Sequence, residues 1–185
     1  MKKQNIISTI LLGLGIGLAA VSVAQDGNVT PVRKGSLTFN VGAGIGAEYH
    51  SNYYNSAFGT KAAIEAGVWQ AGPGVVTLGA EIGTSFSDGG HEENYKTNTF
   101  VVAGRSAWHY GWQVKGLDTY AGLSAGVGFH HYQYNKNGNV SQSEAIPVFG
   151  GFVGASYFIT PTFGFNVEAG YDITQIQGGI ILKLR

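Results

Sequence analysis

One group of residues has the types needed for a hydrolytic reaction. His50 and Ser51 follow Glu48, and a His, a Ser and a carboxylate are the groups that such a site requires. His50 and Ser51 are adjacent in the chain, however, and adjacent residues of a strand point to opposite faces. A polar loop start therefore explains these residues better than a nucleophile and its base. The sequence predicts no catalytic residue, and we expect a protein that is not an enzyme.

Metal and nucleotide sites are the other chemistries that the residue types suggest. His130 and His131 are adjacent and diverge on a strand, which disfavours chelation by the pair, and His91–Glu93 fits a polar loop. The run Gly42–Gly46 lacks the GxGxxG spacing of a dinucleotide site and lies within an alternating strand pattern. We therefore predict no metal site and no cofactor.

The composition of the chain is unusual for a soluble enzyme. It has 185 residues, of which 30 are Gly and none is Cys; 44% are hydrophobic, 12% are charged, and the formal net charge is zero. A typical soluble domain has about 25% charged residues and about 7% Gly. These values disfavour an ordinary cytosolic enzyme, and the absence of Cys excludes a disulfide framework. The zero net charge gives no reason to expect a nucleic-acid partner.

The N-terminal residues have the pattern of an export signal. Lys2 and Lys3 precede the apolar stretch Ile6–Ala20, and the small residues Ser22-Val23-Ala24 follow it. We expect a signal peptide over 1–24 with cleavage after Ala24, then a short periplasmic segment over 25–35 and a barrel over 36–185. Every later apolar stretch is interrupted within a few residues, so only strands closed into a barrel are expected to cross a membrane.

Alternation with a period of two dominates the rest of the chain. From Ser36 to Tyr49 every odd residue is apolar and every even residue is polar or Gly, which predicts a strand with one apolar face. Two segments, 98–109 and 146–158, leave open which face is apolar. The pattern predicts eight strands, over 36–49, 60–70, 75–86, 98–109, 117–131, 146–158, 163–172 and 176–184.

The predicted connections alternate between long and short. Polar loops are expected over 50–59, 87–94 and 133–144, and tight turns over 71–74, 110–116 and 160–162, with both termini on the short-turn side. Aromatic residues lie near both kinds of connection, as in the two interfacial girdles of a membrane barrel. The girdle on the short-turn, periplasmic side is predicted as Trp69, Trp108, Tyr110, Trp112, Phe158 and Phe163, and the outer girdle as Tyr49, Phe86, Tyr95, Phe129, Tyr132 and Tyr171.

The chain resembles the small eight-stranded outer-membrane β-barrel proteins of Gram-negative bacteria, a class that includes the barrel domain of outer-membrane protein A. The most specific stretches are Leu117–Val127, Glu168–Tyr171 and Gly178–Leu184. The resemblance implies an all-β, eight-stranded, antiparallel up-and-down transmembrane barrel that crosses the cell outer membrane several times. It also implies outer-membrane lipid, lipopolysaccharide and the barrel-assembly machinery as partners, and it identifies no loop ligand.

The strand faces that carry polar residues and Gly are expected to line a narrow lumen. An isolated buried charge is costly, so the inward charges should pair, and Arg105 is expected to be their hub. The predicted interior charge network is Glu48, Lys61, Glu65, Glu81, Arg105, Glu168 and Lys183. We expect a closed interior and a structural or surface-interaction role through the loops. A small passive channel, a lipid A-modifying barrel enzyme and a soluble ligand-binding barrel are the alternatives.

Overall fold

The protein folds into one closed antiparallel barrel of eight strands, connected in chain order. The computed structural model describes residues 30–46, 56–88, 95–135 and 139–185. The predicted fold class, an all-β up-and-down barrel, is confirmed, and pairing of the first strand with the last closes it. The strands are β1 (Leu37–Ile45), β2 (Ser56–Ala71), β3 (Gly74–Asp88), β4 (Tyr95–Gly111), β5 (Leu117–Asn135), β6 (Asn139–Phe158), β7 (Phe163–Tyr171) and β8 (Ile176–Lys183).

Side chains alternate between the lumen and the outer surface in the sense that the sequence predicted. In β1, Thr38 and Asn40 are buried in the lumen, whereas Val41 and Ile45 are exposed on the outside. The structure also shows which residues face inward in 98–109 and 146–158, the two segments that the sequence left open. In β4 the odd residues, such as Val101, face inward, and in β6 the even residues do. The predicted signal peptide lies outside the described residues, and in the part of the chain described no helix is long and apolar enough to cross a membrane.

The strands differ greatly in length, so the barrel has one tall side. β5 and β6 have 19 and 20 residues, whereas β7 and β8 have 9 and 8. β6 pairs with β7 only from Gly151 to Phe158, and its residues 139–150 pair with β5 alone. The long-loop ends of β2 to β6 continue beyond the ends of the short strands β1, β7 and β8. We call these ends the wall. The wall leaves one edge of β6 without a neighbouring strand in the described structure.

The wall corrects the prediction of a long loop over 133–144. β5 continues to Asn135 and β6 begins at Asn139, and residues of the predicted loop pair in register, for example Gln133 with Ser141. The prediction was wrong because this stretch is rich in polar residues and lacks the regular alternation of apolar and polar residues by which strands are recognised. The other two long loops were also predicted too wide, since Ser56–Gly59 and Ser87–Asp88 belong to strands.

Residues 30–36 fold against the short-turn end of the barrel. Val32 is 1% exposed and packs with Val75, Phe158 and Ile181. The backbone of this segment is tied to β2, because the Gly35 N–H donates to the Gly67 carbonyl at 2.8 Å and the Gly67 N–H donates to the Ser36 carbonyl at 2.8 Å. We call 30–36 the plug segment, since it packs into the short-turn opening of the barrel. The sequence predicted only a short segment over 25–35 here, with no contact to the barrel.

Candidate functional site

Arg105 of β4 lies at the centre of the lumen and contacts three glutamates. Its Nη1 is 2.9 Å from Glu81 Oε2, its Nη2 is 3.0 Å from Glu168 Oε2, and its Nε pairs with Glu65. The guanidinium carbon lies 4.0 Å from the centre of the Phe152 ring, which adds a cation–π contact. Guanidinium suits this position because its planar array of donors serves several carboxylates at once.

Lys61 of β2 is the second cation of the lumen. It contacts Glu168 and Asp172 directly, and its Nζ is 3.6 Å from Glu81 Oε2. Its side chain is almost completely buried, which is tolerated only because several carboxylates surround the ammonium group. Lys61 and Arg105 share two of their partners, so the expected single hub is instead a pair of neighbouring cations.

His109 extends the network toward the short-turn end. Its Nδ1 is 2.7 Å from Asp118 Oδ2, and its Nε2 is 3.2 Å from Glu65 Oε2. The Thr77 hydroxyl donates to the same Glu65 oxygen at 2.7 Å. Glu65 therefore connects the Arg105 cluster to the His109–Asp118 pair, and one continuous polar network runs along the lumen.

Two aromatic rings cross the lumen beside the charges, and each lies over a Gly of the neighbouring strand. Tyr120 pairs in register with Gly154, and Phe152 pairs with Gly122. A Cβ at Gly154 would be 2.4 Å from the Tyr120 ring, and one at Gly122 would be 2.5 Å from the Phe152 ring. Because these two positions carry no side chain, the rings have room to lie across the barrel. The Tyr120 hydroxyl then donates to Glu168 at 3.1 Å.

The structure brings together five of the seven charges predicted to form the interior network. Lys61, Glu65, Glu81, Arg105 and Glu168 form one buried cluster. Lys183 lies apart from it: its Nζ donates to the Pro31 carbonyl at 3.2 Å, at the short-turn end. Glu48 lies outside the described residues.

Sequence reasoning missed three members of this cluster, namely His109, Asp118 and Asp172. Strand parity points to the first two: His109 is four residues after Arg105, and Asp118 is two residues before Tyr120, so each shares a face with an inward residue. Asp172 has the same parity as Glu168 in the predicted strand over 163–172 but was not included in the network; in the structure it directly follows the end of β7.

Aromatic residues form a row where the outer apolar surface ends on the long-loop side. Of the predicted outer girdle, Phe86, Phe129 and Tyr171 are exposed on the outer surface, Tyr49 lies outside the described residues, and the side chains of Tyr95 and Tyr132 are not described. Phe58 and Phe100 belong to the same row and were not predicted. Phe58 pairs in register with Phe86, and the Phe100 and Phe129 ring centres are 6.4 Å apart.

A second aromatic group lies near the short turns. Trp108 stacks on Tyr110 with ring centres 5.8 Å apart, and Trp112 packs edge-on against Tyr110 at 5.0 Å. The indole N–H groups have acceptors, since Trp108 donates to the Ala71 carbonyl at 3.0 Å and Trp112 donates to Thr119 Oγ1 at 2.9 Å. Satisfied N–H groups on rings that face outward suit an interface between water and lipid.

Phe158, which was predicted for the short-turn girdle, does not lie on the outer surface. Trp69 is half exposed on the outer surface, and Phe163 contacts the outward Phe165. Phe158, in contrast, is buried and packs against Val32 of the plug segment. Its prediction as a girdle residue was wrong because the even residues of β6 face the lumen, and proximity to a turn does not decide the facing of a side chain.

The buried network joins opposite sides of the barrel. Six strands, β2 to β5, β7 and β8, contribute polar side chains to it, Gln177 of β8 through a 3.5 Å contact with Glu168. β6 contributes the Phe152 ring that lies against Arg105. Its carboxylates, Glu65, Glu81, Asp118, Glu168 and Asp172, outnumber Lys61, Arg105 and His109. Within the described ranges, no group of three or more His, Asp and Glu is arranged to hold a metal ion. The chemistry of this arrangement is the mutual neutralisation of charge across a closed lumen.

The fold of the chain is similar to those of several solved structures. No known protein family and no curated protein sequence matches the chain. Ail, the attachment invasion locus protein of Yersinia pestis, has a TM-score of 0.45 and 10% identity, with 81% of this chain and 95% of that chain covered. A structure of Ail with the heparin analogue sucrose octasulfate has a TM-score of 0.45 and 11% identity, covering 80% and 93%.

Neisserial surface protein A has a TM-score of 0.45 and 11% identity to this chain, with 80% of this chain and 96% of that chain covered. The strand order, the register and the closure between β1 and β8 are seen directly in the structure of the chain. This protein is therefore an eight-stranded, up-and-down antiparallel barrel with a polar lumen, the fold of the family that its sequence resembles.

Proposed function

We propose that the chain is an integral protein of the cell outer membrane, with a closed barrel that anchors a surface-exposed wall. The observation that carries this proposal is the inversion of polarity between the two faces of the sheet. Large apolar side chains stand outside, including Leu123 at 72% and Phe149 at 69% exposure, while the ion pairs are buried inside. A soluble barrel rarely exposes so large a continuous apolar surface, whereas a lipid-facing barrel requires one.

The height of the apolar surface supports a bilayer as its surroundings. On β3 the outward residues are apolar from Val76 to Phe86, except Thr84. These ten residue steps span about 34 Å along the strand at about 3.4 Å per residue. With a strand tilt of about 40°, the band is about 26 Å tall, close to the roughly 25 Å of outer-membrane barrels.

The orientation follows from the two ends of the barrel. In outer-membrane barrels the short turns face the periplasm and the long connections face the outside. The plug segment and the short turns then lie at the periplasmic leaflet, and the wall stands outside the cell. This proposal includes an export signal over 1–24, cleaved after Ala24, and insertion by the barrel-assembly machinery. Outer-membrane lipid and lipopolysaccharide then surround the barrel.

The lumen of this barrel is proposed to be closed rather than conducting. Ion pairs cross it at Arg105 and Lys61, and the plug segment fills its short-turn end through Val32. An eight-stranded barrel has an interior wide enough for little more than its own side chains. These observations favour an anchor over the passive channel that the sequence left open.

The wall is the part proposed to interact with molecules outside the cell. Its β5–β6 hairpin continues past the aromatic row at Phe129, where the outward residues become His131 and Ser143, 3.0 Å apart. This change from apolar to polar marks where the strands leave the lipid. A structural or binding role, without catalysis, fits a polar pair of strands held above the membrane.

Cell fractionation tests the location, and a bilayer recording tests the closed lumen. We expect the protein in the outer-membrane fraction, with an unheated folded form that migrates differently on a gel from the heated form. Recovery from the soluble periplasm would overturn the proposal.

In planar bilayers the refolded protein should give no steady conductance, with a porin reconstituted in parallel as the positive control. Mass spectrometry of lipid A from cells with and without the protein should show no difference, since no lipid-modifying activity is expected.

A further inference from the structure

A cavity of about 680 Å³ lies at the short-turn rim, outside the buried charge network. Its walls come from the plug segment, the turn between β4 and β5, and the turn between β6 and β7. We call it the rim cavity. Its volume is within the range of about 300–1,000 Å³ that is typical of small-molecule sites.

The walls of the rim cavity are fixed by hydrogen bonds and tight packing. The Phe158 N–H donates to the Gly116 carbonyl at 2.8 Å, and the Lys183 N–H donates to the Thr162 carbonyl at 2.8 Å. The plug segment approaches β4 so closely that a Cβ at Gly111 would be 2.5 Å from Thr30 Cα. The cavity is therefore formed before any ligand arrives.

Three cations line the rim cavity. Arg33 comes from the plug segment, Lys115 from the β4–β5 turn and Lys183 from the end of β8. Among the described residues, none of these three is paired with a carboxylate, and the described lining residues include no acid. Lys183 uses one donor on the Pro31 carbonyl at 3.2 Å, which leaves two of the three ammonium donors for another acceptor. This charge arrangement suits an anion with several oxygens, such as a phosphate.

The same cavity also has an apolar side. Tyr157 and Ile159 line it and are 49% and 55% exposed on the outer surface of the barrel. The cavity therefore joins a basic rim to the lipid-facing surface. A free phosphate ion would use the cations and leave the apolar side empty, whereas a phospholipid would place its phosphate among the cations and its first chain atoms over Tyr157 and Ile159.

We propose that the rim cavity binds the phosphate group of an acidic phospholipid of the periplasmic leaflet, with the lipid chains on Tyr157 and Ile159. The proposal rests on the membrane location argued above, because the apolar side of the cavity meets lipid only in a bilayer. Binding there fixes the plug segment, through Arg33, to the β4–β5 turn, through Lys115.

Native mass spectrometry of the delipidated barrel in detergent tests the proposal. Phosphatidylglycerol and phosphatidylcholine of equal chain length serve as probes, with inorganic phosphate as a competitor. The variant R33Q/K115Q removes two cations of the cavity. The variant K34Q/R185Q removes two exposed cations of the same end that do not line the cavity, and it is the matched control.

We expect the wild type and K34Q/R185Q to prefer phosphatidylglycerol, and R33Q/K115Q to bind that lipid about tenfold more weakly, with phosphatidylcholine unchanged. Equal binding of the two lipids by the wild type, or an equal loss in both variants, would overturn the proposal. Displacement of the lipid by inorganic phosphate would show a free-anion site instead. Flotation of the same preparations with vesicles tests membrane insertion separately. A barrel that inserts into vesicles but shows no lipid preference would contradict lipid binding in the rim cavity and leave the proposed membrane location standing.

Discussion

Replacing Arg105 with Met would remove the cation that three lumen glutamates share. Glu81 and Glu168 would keep contacts with Lys61, whereas Glu65 would keep only His109 and the Thr77 hydroxyl. Met has a similar length and no charge, so the change removes the ion pairs with little loss of volume. The perturbation therefore isolates the electrostatic role of Arg105.

The loss of unfolding free energy in R105M depends on the protonation state of the carboxylate that loses its guanidinium partner. A buried carboxylate that has lost its guanidinium partner is more easily accommodated in its protonated form. Protonating a glutamate of ordinary acidity at pH 7 costs about 3.7 kcal/mol, from about 1.36 kcal/mol per pH unit over the roughly 2.7 units down to pH 4.3. This agrees with the roughly 3–5 kcal/mol that removal of one partner of a buried ion pair costs. We expect R105M to lower the free energy of unfolding by about 4 kcal/mol at pH 7.

Urea unfolding in detergent micelles, followed by Trp fluorescence, measures this loss. The folded variant takes up a proton that the unfolded chain lacks at pH 7, so its deficit should shrink by about 1.36 kcal/mol for each pH unit toward pH 4.3. The double variant R105M/E65Q should recover most of the stability, and K34M, which removes an exposed cation, should change it little. A deficit under about 1 kcal/mol, or one independent of pH, would refute the reasoning.

Three further changes test packing and membrane contact, with unfolding free energy in micelles as the measurement for the first two. V32A should cost about 2 kcal/mol, since it removes buried methyl groups from the plug segment; no loss would mean that the segment is not packed in solution. G154A should cost about 1–3 kcal/mol through the clash with the ring beside it, while G104A, where a Cβ would make only ordinary contacts at 3.9 Å, should be neutral. L123R should impair refolding into vesicles by about 2–4 kcal/mol, whereas N98R, two residues beyond Phe100 toward the polar end of β4, should not.

The fold was predictable because alternation marks most of the strands. In β1 and in most of β3 the outward residues are apolar and the lumen residues are polar or Gly, with Thr84 and Val75 as the exceptions, so alternation identifies these strands. The wall was not predictable in this way. Around His131 and Ser143 both faces are polar, and the hydrogen bonds that make the strand are backbone bonds that the side-chain pattern does not report.

The site was predictable in its composition and less so in its arrangement. The inward parity of Lys61, Glu65 and Arg105 predicts that these charges meet, because a narrow lumen offers them no other partner. The facing of Phe158 depends on how β6 registers with β5, which alternation within β6 alone leaves open. The rim cavity depends on turns and on the plug segment, whose sequences carry no periodic pattern.

The unequal strands also determine the order in which the barrel can close during folding. β5 and β6 are neighbours in the chain and pair over the whole length of β5, so their contacts are local and their loop closes at small entropic cost. β1 and β8 join opposite ends of the barrel sequence, through the short register from Thr38 to Ile45. We therefore expect the central hairpin to form before the β1–β8 seam, and thermal opening to begin in the sector of β7, β8 and β1.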